Sequence, residues 1–207
     1  MNYSDYSTDG YHNFMLKFSQ ITYLFYLSYQ IFVSDEDKFD RQLYLKIRNF
    51  LQEGANESIK NDGDEIFPNI YVGNEFLARD PAEVKSNGIT HVLNLAMEDV
   101  ETGKKFYKEI GAKYFEIFAE DDPKFDIKKC FYEACEIIDK ALKDGGKILV
   151  HCVAGYRRSP TVAIAYMMIK KKYNLWDAIV EARSKRKIFP NDGFIEQLCM
   201  LEKELHG

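Results

Sequence analysis

The segment that most constrains the fold is KILVHCVAGYRRSPTVAIAYMMIKK, residues 147–171. An apolar run ends at Cys152, a short loop follows to Arg158, and a long run with helical apolar periodicity begins at once. A strand, a tight loop and a helix in direct succession build an anion site. Successive amides from Val153, Ala154, Gly155, Tyr156, Arg157 and Arg158 can turn inward around one tetrahedral anion, and the following helix adds its positive end. Gly155 permits the tight backbone. Cys152 stands at the floor of this ring, where amides, helix dipole and a nearby guanidinium all favour thiolate over thiol. Arg158 closes the loop, and its planar fork can hold two phosphate oxygens. Ser159 follows, with a hydroxyl able to donate to the sulfur and ease its departure. A lone cysteine at a strand end is more often a small core residue. His151, Gly155, Arg158 and Ser159 at their spacings around it make the catalytic reading the better one.

Around this segment the signals alternate. NIYVG, Ile89 to Ala96, Lys113 to Ala119 and Lys147 to Cys152 read as strands; Pro81 to Ser86, Ile127 to Leu142, Ser159 to Lys172, Leu175 to Ser184 and Gly193 to His206 read as helices. The expectation is an α/β fold with a mainly parallel central sheet flanked by helices, which binds ligands beyond the carboxyl ends of its strands. Phe39, Leu43, Ile47 and Leu51 recur at four-residue steps before Gly54, as in an amphipathic helix with a glycine stop. ANESIKNDGDE lacks periodicity and reads as a linker. Three parts result: an extension of unknown role over 1–35, a helix and linker over 36–65, and a catalytic domain over 66–207 from a boundary near Ile66.

Composition narrows the partners. A net charge of -5 offers no broad cationic field for nucleic acid. Four cysteines without close metal or redox spacing suit a reducing compartment, the cytosol or nucleus. The uncharged run from Phe18 to Val33 is bracketed by Lys17 and Asp35 and broken by Ser19, Gln20, Thr22, Ser28 and Gln30. It is short of the ~20 apolar residues of a spanning helix, so a helix docked on the domain or a partner, or a poorly ordered leader, is preferred over a membrane anchor. Asp5 and Asp9 stand where a signal peptide carries basic residues.

HCVAGYRRSPT resembles the His-Cys-five-residues-Arg-Ser signature of the protein tyrosine phosphatase superfamily. NIYVGNEFLARD, GITHVLNLA, FYKEIGAKYFEI and PNDGFIEQLCML resemble the atypical dual-specificity phosphatases of the VHR type, in order from Ile66 to His206. The resemblance implies a protein tyrosine phosphatase-like fold and hydrolysis of phosphotyrosine and phosphoserine/phosphothreonine esters through a phosphocysteine, without metal or cofactor. Its substrates would be phosphorylated proteins, protein kinases among them. The implied catalytic set is His151, Cys152, Arg158 and Ser159, with Asp121 as general acid because it lies six residues before the aliphatic that starts the next helix; Asp122 does not fit that spacing. The resemblance further implies that Asn191 braces the phosphate loop and that Arg186 is a secondary phosphate contact. Relatives commonly carry a small residue where Arg157 stands; because two guanidinium groups would repel inside the small pocket that Arg158 fills, its side chain is expected at the rim. Two other readings stand beside this one: a phosphatase of phosphoinositides or RNA ends, which Arg157 favours, and a phosphoprotein binder without turnover, which intact Cys152, Arg158 and Asp121 oppose.

Overall fold

The computed structural model describes residues 39–53 and 60–207. The run from Phe18 to Val33 lies outside them. The first helix, α1 (Arg41–Gln52), starts where Asp40 accepts the Gln42 and Leu43 amides and so satisfies two orphan donors of the first turn. Five strands follow with helices between them: β1 (Gly63–Phe67), β2 (Ile70–Gly73), α2 (Glu75–Ala78), α3 (Pro81–Ser86), β3 (His91–Asn94), α4 (Lys104–Lys108) and β4 (Lys113–Glu116). The second half is α5 (Lys128–Lys143), β5 (Ile148–His151), α6 (Arg158–Lys171), α7 (Leu175–Lys185) and α8 (Asp192–His206).

The sheet runs β1-β2-β5-β3-β4. Only the β1–β2 pair is antiparallel; β2–β5, β5–β3 and β3–β4 are parallel. Strand alternation divides the core in two. Ile148, Val150, Val72 and Leu93 face one side, under α5 to α8, and Leu149 and Val92 face the other, with Leu77, Val84 and Tyr107. Each such fully buried aliphatic contributes roughly 1.5 to 3 kcal/mol. β5 is the central strand and is buried at every residue, which explains its unbroken apolar sequence. α6 is buried almost all round because α5, α7 and α8 surround it.

Two expectations change here. Phe39–Gly207 forms one compact unit, so the helix expected to stand ahead of the domain packs within the same body. Helix α1 belongs to it: Tyr44, Ile47 and Leu51 are buried, Phe50 packs on Trp176 at 5.3 Å between centroids, and the Lys46 Nζ sits 3.6 Å from the Trp176 ring centroid. The stretch read as a linker also ends in structure, because Gly63, Asp64 and Glu65 open the edge strand β1.

Candidate active site

Cys152 follows β5 directly and is buried. The loop after it is held open from outside. The Val153 carbonyl accepts the Glu75 amide at 2.8 Å, the Tyr156 carbonyl accepts the Phe189 amide at 2.8 Å, and the Arg157 carbonyl accepts the Thr161 amide at 3.2 Å. The Gly155 carbonyl accepts Nε of Arg186 at 3.1 Å. Four carbonyls are thus drawn outward, while no amide from Val153 to Arg158 is engaged by another described residue. A ring with its carbonyls tied back and its amides unused is an anion receptor. Gly155 has φ +67°, and a Cβ there would meet the carbonyl carbon and oxygen of Gly73 at 2.7 Å, so only glycine fits.

At the floor, the Cys152 Sγ and the Ser159 Oγ are 3.3 Å apart, and Ser159 is wholly buried at the start of α6. The spacing that placed a hydroxyl beside the sulfur therefore does so in three dimensions. Arg158 is buried as well, its Nη1 donating to Asp99 Oδ2 at 2.9 Å, the Ala119 carbonyl at 2.9 Å and the Leu95 carbonyl at 3.3 Å. Asp99 and the β3–α4 segment that carries it drew no attention in the sequence, since an acidic residue in a loop has no signal of its own. A cavity of about 350 Å³ opens here, lined by Ala96, Asp99, Phe118, Asp121, Val153 and Arg158 among others.

The two candidate acids lie on the segment between β4 and α5. Asp122 is committed to a turn: its carboxylate accepts the Lys124 amide at 2.7 Å and its carbonyl the Phe125 amide at 3.0 Å. Asp121 lines the cavity, and its Oδ2 lies 3.5 Å from Nη1 of Arg157, whose side chain is half exposed.

Two residues take other roles than those expected. Arg186 is no rim contact. Its side chain is fully buried behind the loop, with Nη1 on the Asn61 carbonyl at 3.0 Å and on Asp64 Oδ2 at 2.6 Å besides the bond to Gly155. Asn191 caps α8 by accepting the Phe194 amide at 3.0 Å, and its Nδ2 meets no hydrogen-bond partner, so it does not brace the loop. His151 is completely buried, and burial, opposed by a hydrogen bond with the Cys152 backbone, brings its pKa down to about 4. It is therefore neutral at pH 7 and lies next to Cys152 beneath the loop.

Burial pushes the other thiols up, Cys130 to about 11 and Cys135 and Cys199 to about 12, which leaves them protonated at neutral pH. Cys152 is the cysteine from which the loop starts, with its sulfur beside the Ser159 hydroxyl.

The geometry defines a phosphate-ester site: a cradle for a tetrahedral anion with a sulfur set against it. Residues 70–204 match the family described as dual specificity phosphatase, catalytic domain. The chain is 38% identical over 146 residues to dual specificity protein phosphatase 26 of Rattus norvegicus, covering 70% of this chain and 69% of that one. Human DUSP28 superposes with a TM-score of 0.64 over 73% of this chain and 99% of that one; at 24% identity this bears on the fold alone. DUSP15 superposes with a TM-score of 0.60 at 28% identity, over 70% of this chain and 96% of that one. The chain belongs to the dual specificity phosphatase family. It is a protein phosphatase, with phosphorylated proteins as substrates.

Proposed function

We propose that the chain hydrolyses phosphotyrosine and phosphoserine/phosphothreonine in proteins in two steps on Cys152. The observation that carries this reading is the loop itself, with its carbonyls tied back, its amides unused and a sulfur at its floor beside Ser159. In the first step the Cys152 sulfur attacks phosphorus in line. The S–P bond forms, the P–O bond to the leaving group breaks, and its electron pair stays on the leaving oxygen, which takes a proton from Asp121. In the second, the Asp121 carboxylate removes a proton from water, the resulting oxygen attacks phosphorus, and the thiolate leaves with the Ser159 hydroxyl donating to it. Arg158 and the loop amides follow the phosphoryl oxygens through both steps, where their charge matches what develops in the transition state. To do so Arg158 exchanges the half-exposed Asp99 carboxylate for phosphate. A reducing compartment is part of this reading, because oxidation of the sulfur removes the nucleophile.

Turnover of a small aryl phosphate, with and without a chelator, tests it. Wild type should turn over equally in both, and Cys152→Ser should lose turnover yet still bind vanadate, since the amides and Arg158 remain. Turnover by Cys152→Ser above about a tenth of wild type would refute the cysteine mechanism.

A further inference from the structure

The ion pair between Arg157 and Asp121 joins a fixed point to a free one. Arg157 immediately precedes α6, and its backbone is pinned: its carbonyl accepts both the amide of Thr161 at 3.2 Å and its hydroxyl at 2.6 Å, and the preceding carbonyl accepts the Phe189 amide. Asp121 lies mid-way along an irregular segment anchored only at its ends. At one end the Ala119 carbonyl accepts Nη1 of Arg158. At the other the Phe125 carbonyl accepts Nε2 of Gln197 at 2.8 Å, and Pro123 lies so close to Gly193 that a Cβ there would strike its carbonyl. Between them Glu120, Asp121 and Asp122 are exposed, and Asp122 serves the local turn. Among the described residues, it is the Arg157 guanidinium that meets the Asp121 carboxylate, at 3.5 Å.

We propose that Arg157 is a positioning residue for the general acid. Its guanidinium, launched from the rigid start of α6, keeps the Asp121 carboxyl turned toward the phosphate loop and meets the negative charge left on that carboxyl when its proton passes to the leaving oxygen. In the second step the same pair presents the carboxylate to water in the charged form. The inference rests on Asp121 being the acid.

The test is a double-mutant cycle on kcat/KM, which reports the first step and not the hydrolysis of the phosphocysteine, with two substrates, an aryl phosphate with a highly activated phenol and one with a poor leaving group. Asp121→Asn should lose ~10²-fold or more on the poor leaving group and far less on the activated one. Arg157→Ser should lose about three- to fivefold on the poor leaving group, the upper range of what an exposed ion pair contributes, and stay unchanged on the activated one. Vanadate inhibition and melting temperature should match wild type, Arg157→Lys should restore most of the loss, and Arg157→Gln, which keeps the aliphatic stem, should behave as Arg157→Ser. In the Asp121→Asn background, Arg157→Ser should cost nothing further. Equal losses on both leaving groups, or an undiminished loss in the Asp121→Asn background, would overturn the positioning role and leave the general acid standing. If Asp121→Asn itself shows no leaving-group dependence, the acid assignment fails and the inference falls with it.

Discussion

Replacing Arg186 with methionine separates a brace from a substrate contact. The side chain is fully buried at the end of α7 and makes three bonds: Nε to the Gly155 carbonyl at 3.1 Å, and Nη1 to the Asn61 carbonyl at 3.0 Å and to Asp64 at 2.6 Å. Arg186→Met takes the counter-charge from the Asp64 carboxylate, whose side chain is only 17% exposed and keeps the Asn61 amide at 2.7 Å, and takes the donor from both carbonyls. Breaking one side of a buried ion pair costs ~3 to 5 kcal/mol. At ~2 to 4 °C per kcal/mol for a domain of this size, the melting temperature should fall by roughly 6 to 20 °C. Catalysis should suffer too, because Gly155 is released from behind, and a displacement of ~1 Å in a catalytic cradle costs on the order of 10²-fold. That loss should show in kcat on the smallest aryl phosphate. Arg186→Met combined with Asp64→Leu should recover stability, since no stranded charge remains, but not kcat, since the Gly155 carbonyl still lacks its donor. Differential scanning calorimetry beside steady-state kinetics reads both quantities. A melting temperature within about 2 °C of wild type, with KM raised only for peptides carrying a second phosphate, would refute the brace.

Gly155→Ala forces a Cβ to within 2.7 Å of the Gly73 backbone at a φ of +67°, a strain of ~1 to 2 kcal/mol before the clash, so kcat on an aryl phosphate should drop at least about tenfold. With Cys130 held at about 11 and Cys135 and Cys199 at about 12 by burial, iodoacetamide at pH 7 should add once to the folded protein, at Cys152, and vanadate should block it; mass spectrometry showing adducts on the other three before unfolding would contradict this. Burial first, then the charges of Arg158 and Arg79, lowers His151 to about 4, so between pH 6.5 and 4 the unfolded chain binds a proton that the folded chain refuses. Stability is then full above pH 6.5 and falls with acidification by about 2 kcal/mol at pH 5, with His91 acting in the same direction, and urea unfolding should show a shallower pH slope in His151→Gln.

What the sequence reveals of this molecule is what neighbouring residues decide. The strand–loop–helix around Cys152 reads directly because its parts are contiguous; α5, α7 and α8 read to within about two residues because their apolar faces repeat, α6 because its apolar run is long, and α3 because Asp80 and Pro81 mark its start. β1 escapes because Gly63, Asp64 and Glu65 are polar on an exposed edge, and α2 and α4, of four and five residues, are too short to show a period. The arginines mark the limit most clearly. In the sequence Arg157, Arg158 and Arg186 form one class, cations near a phosphate. In the fold each meets its own aspartate, Asp121, Asp99 and Asp64, brought from three other segments. The partners of Arg158 and Arg186 lie 59 and 122 residues away, so no local spacing announces them. The aspartate decides the role. Asp64 is nearly buried, so its arginine is fixed in place and can only support. Asp99 is half exposed, so it rehydrates at little cost when phosphate takes Arg158. Asp121 is itself the candidate acid, and Arg157 thereby passes from the substrate's side of the site to the proton's.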